Sequence, residues 1–209
     1  MRNPIDRLTA GLPRGWRVTI DWLVTIAGAI LIVLAIKQWV VNPYRIPSSS
    51  MEPTLHCARP AQGCEAAGGL LSGSDRILAC RICYEIGGPS RGDIVVFNTP
   101  PAAKEGCGGE GGVFVKRLIG MPGDTVHEDG QGYIWINGEK LNEPYIQATR
   151  RLEDSHKNMT WHVPQGQYFM MGDNRGGSCD SRVWGSVPRH DLIGKVIATY
   201  WPPGRISIQ

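Results

Sequence analysis

Three consecutive serines, Ser48, Ser49 and Ser50, stand between two prolines in the stretch Ile46-Pro47-Ser48-Ser49-Ser50-Met51-Glu52-Pro53-Thr54-Leu55. Pro47 and Pro53 fix φ and bias the residues before them away from helix, so the serines occupy a short constrained segment. Two readings are open here: a hydroxyl held for nucleophilic chemistry, or a serine-rich turn in which Ser50 caps one helical turn. A nucleophilic hydroxyl needs a base, and a second stretch offers one. Read as a strand, Phe114-Val115-Lys116-Arg117-Leu118-Ile119 puts Phe114, Lys116 and Leu118 on one face and Val115, Arg117 and Ile119 on the other. A lysine desolvated beside Phe and Leu has its charged form disfavoured and its pKa lowered, as a lysine base near neutral pH requires. A solvated lysine at a sheet edge is the plainer alternative. A third stretch, Met171 to Gly185, is densely polar, and its Asp173, Asp180, Arg175 and Arg182 can form charge-assisted pairs that hold a site rigid. Neither aspartate has a neighbour at a standard ligand spacing, so no metal is expected there.

The elements that must position these residues read as short strands. The chain has 209 residues, 42% of them hydrophobic, enough for a folded core. Its 27 glycines and 15 prolines, with no long helix-period pattern after the N-terminal apolar run, point to strands joined by turns. Candidate strands are Arg76–Ala79, Asp93–Phe97, Val113–Ile119, Tyr133–Ile136, Tyr168–Met171, Leu192–Trp201 and Arg205–Ile208. Asn137-Gly138 signals a hairpin because both residues tolerate φ > 0, Met121-Pro122-Gly123-Asp124 is a second turn, and Gly106–Gly112 reads as a surface loop. A net charge of +3 without a basic, aromatic-interleaved stripe leaves no basis for a nucleic-acid partner.

Before this β-rich part lies Val18 to Ile36, nineteen residues with Asp21 as the only charge. That run is long enough for a hydrocarbon core of about 30 Å and predicts one transmembrane helix in a lipid bilayer. Arg2, Arg7, Arg14 and Arg17 precede it against Asp6, while Lys37 and Arg45 follow, so the positive-inside rule favours a cytoplasmic N-terminus. A cleaved signal peptide is the rival reading, but Lys37-Gln38-Trp39 is not a small-residue cleavage site.

Taken together, the Ser50 segment, Arg91-Gly92-Asp93-Ile94-Val95-Val96-Phe97, the run from Val115 to Asp124 and the Gly172–Gly185 segment resemble the motifs of type I signal peptidases. They stand in that family's order behind an N-terminal anchor, and the resemblance covers nearly everything from Val18 to Trp201. It implies a mainly β fold, an antiparallel catalytic region behind one transmembrane helix, and a membrane-bound serine endopeptidase. The implied substrates are exported preproteins bearing signal peptides, cut after small residues of the Ala-x-Ala type, with no cofactor. The implied organisation is a cytoplasmic segment 1–17, a transmembrane helix 18–38 and an extracytoplasmic catalytic domain 39–209. Carried over by motif, Ser50 is the nucleophile, Lys116 the general base and Ser48 an oxyanion donor. Ser178 orients the lysine, Asp180 and Arg182 support that loop, and Ile46, Met51, Leu55, Phe114 and Val115 line the substrate subsites.

The chain also departs from the pattern. Gly176-Gly177 stands where the family commonly has Asp-Asn, which predicts a more flexible loop, and Cys179 falls between Ser178 and Asp180. An apparent insertion near 56–74 carries Cys57 and Cys64, which are expected to pair, with Cys107–Cys179 as a candidate long-range pair. The spacing Cys57-x6-Cys64-x15-Cys80-x2-Cys83 also admits a zinc site, and Cys80-Arg81-Ile82-Cys83 a redox centre. Gly-x-Ser-x-Gly, Ser-x-x-Lys and His-Glu-x-x-His are absent. A soluble self-cleaving repressor fits poorly with the anchor, and an inactive, membrane-anchored binding protein of the same fold fits poorly with an intact set of Ser50, Lys116, Ser48 and Ser178.

Overall fold

The computed structural model describes residues 11, 13–57, 64, 73–107 and 112–209. It divides into two compact units, Met1–Val41 and Asn42–Gln209. Among the described residues, the first contains one helix, α1 (Arg14–Trp39), which contains the whole apolar run from Val18 to Ile36. Pro13 stands at its N-cap, where a missing N–H costs nothing, and Val40 ends it with its N–H on the Ile36 carbonyl at 2.8 Å. Pro43 then disfavours helical φ/ψ for Asn42, and the chain becomes extended. No α1 side chain is buried, and 26 residues at 1.5 Å each give about 39 Å, long enough to cross a bilayer.

The second unit is built from short antiparallel strands. The strands are β1 (Val41–Arg45), β2 (Arg76–Cys80), β3 (Ile94–Asn98), β4 (Val113–Gly120), β5 (Thr125–Glu128) and β6 (Ile134–Ile136). They continue with β7 (Glu139–Lys140), β8 (Met159–His162), β9 (Gln167–Met171), β10 (Val187–Pro188), β11 (Leu192–Trp201) and β12 (Ser207–Ile208). The larger sheet runs β1-β2-β11-β3-β4-β9-β10, with β12 on β11, and the smaller runs β7-β6-β5-β8. Four short helices join them: α2 (Cys83–Ile86), α3 (Pro101–Cys107), α4 (Ala148–Leu152) and α5 (Ser181–Trp184).

Both faces of the larger sheet are covered. Along β3, Ile94 and Val96 enter a cluster with Ile46, Met51, Leu55 and Ile77, whereas Val95 and Phe97 enter another with Leu118, Tyr168, Met170 and Trp184. Strand β4 is shared in the same way, since Leu118 joins the second cluster and Ile119 a third with Val126, Ile134, Phe169 and Met171. Each such fully buried side chain stabilises the fold by roughly 1.5–3 kcal/mol. The Asn137-Gly138 turn joins β6 to β7 with φ of 53° and 87°, the geometry those residue types permit.

Several strands differ from expectation. Strands β1, β5 and β8 were not foreseen, because each is short and interleaves apolar residues with Asn, Arg, His or Glu. The expected strand Arg205–Ile208 shrinks to β12, since Pro203–Arg205 forms a 3-10 turn. Part of the expected Gly106–Gly112 loop belongs to α3, which ends at Cys107, and residues 108–111 lie outside the described part. Cys57 is bonded to Cys64, Cys80 to Cys83 and Cys107 to Cys179. The four-cysteine zinc reading falls with this pairing, because sulfurs spent in two separate disulfides have no thiolate to offer a metal.

Candidate active site

Three pieces of chain meet at one groove of about 450 Å³. Its lining includes Ile46, Ser48, Ser50 and Met51 from the serine segment, Phe114, Val115 and Lys116 from β4, and Gly177 and Cys179 from the loop after β9. Ser49–Met51 forms a single 3-10 turn with Ser48 at its N-cap and no side-chain cap bond, so Ser50 sits inside the turn rather than capping it. The Ser48 and Ser50 hydroxyls lie 3.3 Å apart. Two apolar anchors below the turn, Met51 and Ile46, are 1% and 2% exposed, which fixes its depth in the fold.

Lys116 reaches the groove from β4, paired with Val95 on β3. Its side chain shares the face of Phe114, with the ammonium 5.7 Å from that ring's centroid, and it is 4% exposed. Burial pulls its pKa down to about 8, while the Asp180 carboxylate pushes in the opposite direction and the Arg182 guanidinium adds to the fall. This is an interior lysine with a large neutral fraction just above neutral pH, not a solvated edge lysine.

The loop after β9 is fastened on every side. Arg117, on the β4 face opposite Lys116, grips Asp173 with two bonds of 2.8 and 2.6 Å and stacks 3.8 Å from the Tyr145 ring centroid. Thr54 of the serine segment donates to the same Asp173 at 2.5 Å. Asn174 donates from its backbone to the Ser50 carbonyl and from its side chain to the Ser49 carbonyl, both at 3.1 Å. Arg182 makes two 2.8 Å bonds to Asp180, pairs with Asp154 and donates to the Arg175 carbonyl at 2.9 Å. Asp180 in turn accepts the Gly172 N–H at 2.9 Å. A Cβ on Gly172 would stand 2.2 Å from the Ser178 hydroxyl and 2.5 Å from the Ser50 carbonyl, so only glycine lets the two serine segments come this close.

The structure redistributes some expected roles. Ser178 is 7% exposed and its hydroxyl has no hydrogen-bond partner among the described residues, so the bond expected to orient Lys116 is not made in this conformation. Leu55 is not brought to the groove: it is fully buried in the core beside Cys57 and Ile77. The looser loop expected from Gly176-Gly177 is not what these glycines provide. A Cβ at Gly177 would fall 2.5 Å from the Asn174 amide, so the glycine allows tight packing. Thr54, Asn174, Asp154 and Glu143, which pairs with Arg151 and Arg175, had no role in the sequence reading. Thr54 and Asn174 lie inside motif segments whereas Asp154 and Glu143 lie outside them, and the contacts that tie each of the four to the site come from residues 28 to 125 positions away.

The chain resembles known proteins along most of its length. The profile of a family described as signal peptidase, peptidase S26, matches residues 19–201. A probable signal peptidase I-2 of Synechocystis is 37% identical over 88% of this chain and 74% of its own length. A signal peptidase I of Leptolyngbya laminosa is 33% identical over 99% of this chain and 91% of its own. A crystal structure of a signal peptidase I from Enterococcus faecalis, 34% identical, overlays 51% of this chain and 95% of that one with a TM-score of 0.40. With a family match across residues 19–201 and relatives aligned over most of both lengths, the chain belongs to the signal peptidase family, peptidase S26, as a type I signal peptidase.

Proposed function

We propose that the protein is a membrane-anchored serine endopeptidase that uses Ser50 as nucleophile and Lys116 as general base to release signal peptides from preproteins. The observation that carries this reading is that Ser50 and Lys116 open on one groove, with the lysine held by burial at a pKa of about 8. Neutral Lys116 takes the Ser50 proton as the oxygen attacks the scissile carbonyl and an acyl-enzyme forms. The protonated lysine then gives that proton to the leaving amine, and neutral again it activates the water that cleaves the ester. In this reading the Ser48 hydroxyl, 3.3 Å from that of Ser50, acts with the Ser50 backbone N–H to hold the oxyanion, whose charge develops only in the transition state. Ser178, buried with a hydroxyl unpartnered among the described residues, is in the same reading the group that orients the lysine.

The lining Ile46, Met51, Phe114 and Val115 is apolar, and the groove is modest in volume, which suits small side chains of the Ala-x-Ala type before the cut. Helix α1 serves as the anchor, residues 1–17 as a cytoplasmic segment, and residues 39–209 as the extracytoplasmic catalytic domain. Three disulfides support an oxidising compartment for that domain. Purified full-length protein in detergent should cleave a preprotein at one site, and Ser50→Ala and Lys116→Ala should each abolish cleavage. Full activity in both variants would overturn the dyad.

A further inference from the structure

Behind the loop that carries Ser178 lies a buried carboxyl with no ordinary partner. Glu128, at the end of β5, has 0% exposure, and neither of its side-chain oxygens accepts a hydrogen bond from any donor among the described residues. Every other buried carboxyl described has at least one oxygen engaged: Asp173 by Arg117, Asp180 and Asp154 by Arg182, Glu143 by Arg151 and Arg175, Asp75 by Arg205, Asp93 by Lys195, Asp124 by Arg91 and Glu52 by the Cys57 N–H. Arg182 stands 3.7 Å from one Glu128 oxygen, outside hydrogen-bonding distance, because its own donors are already given to Asp180, Asp154 and the Arg175 carbonyl. The same Arg182 nitrogen that pairs with Asp154, from the turn after α4, is the one that stands 3.7 Å from Glu128, so the two carboxyls are neighbours around one guanidinium. Two carboxylates cannot share a dry site at contact distance unless a proton lies between them.

We propose that Glu128 is a positioning residue held as a neutral acid, donating its proton to Asp154 so that Asp154 stays ionised for Arg182. The charged groups around it are Asp154 from the turn after α4, Arg182 from α5 and Arg175 from the 3-10 turn Arg175–Gly177, while His156 bonds Asp154 Oδ1 at 3.0 Å. Burial and the Asp154 charge push Glu128 far above the carboxylate range, to about 8, and Arg182 holds Asp154 below it. Loss of the proton would place a second uncompensated negative charge beside Arg182 and draw it from Asp180, the carboxylate that faces Lys116. The chain thus ties its smaller sheet to the Ser178 loop through one proton.

The test contrasts two isosteric variants of the full-length protein in detergent. Glu128→Gln mimics the neutral acid. The native Glu128 pKa lies above the unfolded one, so its stabilising effect is complete below the unfolded value and is lost as pH rises through the native value. Relative to wild type, Glu128→Gln should gain in thermal midpoint between about pH 5 and 8, by about 5 °C or more, and hold that gain above. Asp154→Asn, which removes one of the two ionised partners of Arg182, should lower the midpoint throughout that range. Failure of Glu128→Gln to fold, a constant offset across pH, or tolerance of Asp154→Asn with loss in Glu128→Gln would each overturn the assignment. The activity arm rests on the peptidase reading: kcat/KM of Glu128→Gln should match wild type at pH 7 and exceed it above pH 8. Unchanged alkaline behaviour would show that the proton does not reach the site. If wild type fails to cleave preproteins, the peptidase reading fails, and the unfolding arm still decides where the proton sits.

Discussion

Lys116 carries opposite demands on the same atom. Its burial removes water from the ammonium, which lowers its pKa from 10.5 to about 8 and also makes the charged form a burden on the fold. Because the native pKa lies below the unfolded one, the stabilising balance is complete above the unfolded value and is lost as pH falls through the native value. Lys116→Met should therefore raise stability at pH 6 to 7, by at most about 3 kcal/mol on a shift of this size, while removing cleavage altogether. Chemical denaturation at pH 6 and pH 10 checks this: the gain should be present at the lower pH and shrink at the higher. For wild type, kcat/KM should rise through an apparent pKa near 8, since only the neutral amine accepts the Ser50 proton. A rise confined to the pH range of free lysine would show that the interior setting of Lys116 is not kept in solution. Ser48 makes a narrower claim. Its hydroxyl lies 3.3 Å from that of Ser50, and if it serves the oxyanion, Ser48→Ala should lower kcat about 10²–10³-fold and leave KM within a few-fold.

The loop after β9 is held by charge on one side and by a disulfide on the other. Cys179 follows Ser178 directly and is bonded to Cys107 at the end of α3, and both cysteines line the groove. The bond closes a sequence separation of 72 residues, which in the chain-entropy picture is worth on the order of 4 kcal/mol. A Cys107→Ser/Cys179→Ser double variant should unfold at lower temperature and show a raised KM with a smaller change in kcat, because the groove wall loosens while the dyad keeps β4 beneath it. Thermal scans and steady-state cleavage of a preprotein separate the two effects. An equal fall in kcat at unchanged KM would place the bond's role in the chemistry instead. How much of this could be read from sequence depends on the range of the interaction. Strand β4 was legible because alternation is local, and Lys116 stood out against Phe114 and Leu118. The loop's composition announced pairing among Asp173, Asp180, Arg175 and Arg182, but not that Arg117 would take Asp173 or that Asp154 would reach Arg182. Those partners are 56 and 28 residues away, and only the sheet topology brings them together. Glu128 was invisible for the same reason, and Leu55 was misplaced because an apolar residue next to a motif looks the same whether it faces the groove or the core.

At the scale of the molecule, motif order and the apolar run pointed to the family and to a mainly β unit behind one helix, and both are found. Of the smaller sheet only the β6–β7 hairpin was legible, through Tyr133–Ile136 and Asn137-Gly138, whereas β5 and β8 are four residues long, too short for a period-two pattern to declare itself. The proposed orientation of the chain across a bilayer belongs to this scale, and the charges of the sequence are its first ground. Helix α1 buries none of its side chains and carries Arg14 and Arg17 in its first turn, with Arg2 and Arg7 before it and only Lys37 near its other end. If the arginine-rich end stays in the cytoplasm, the part bearing six cysteines emerges where disulfides persist, so charge asymmetry and thiol chemistry support the same proposed orientation. The expected outcome is that the full-length protein resists alkaline extraction from membranes and that protease added to the extracytoplasmic face removes the β-rich part while sparing a tag on the N-terminus. Thiol labelling without reductant should find no reactive cysteine on that face, and labelling after reduction should find six. Protection of the β-rich part together with free thiols would place it in the cytoplasm, where a peptidase would meet preproteins before export rather than as they cross. Replacing Arg14 and Arg17 by glutamine should weaken the bias and increase the fraction of inverted chains, in which the β-rich part is protected and its cysteines are reduced.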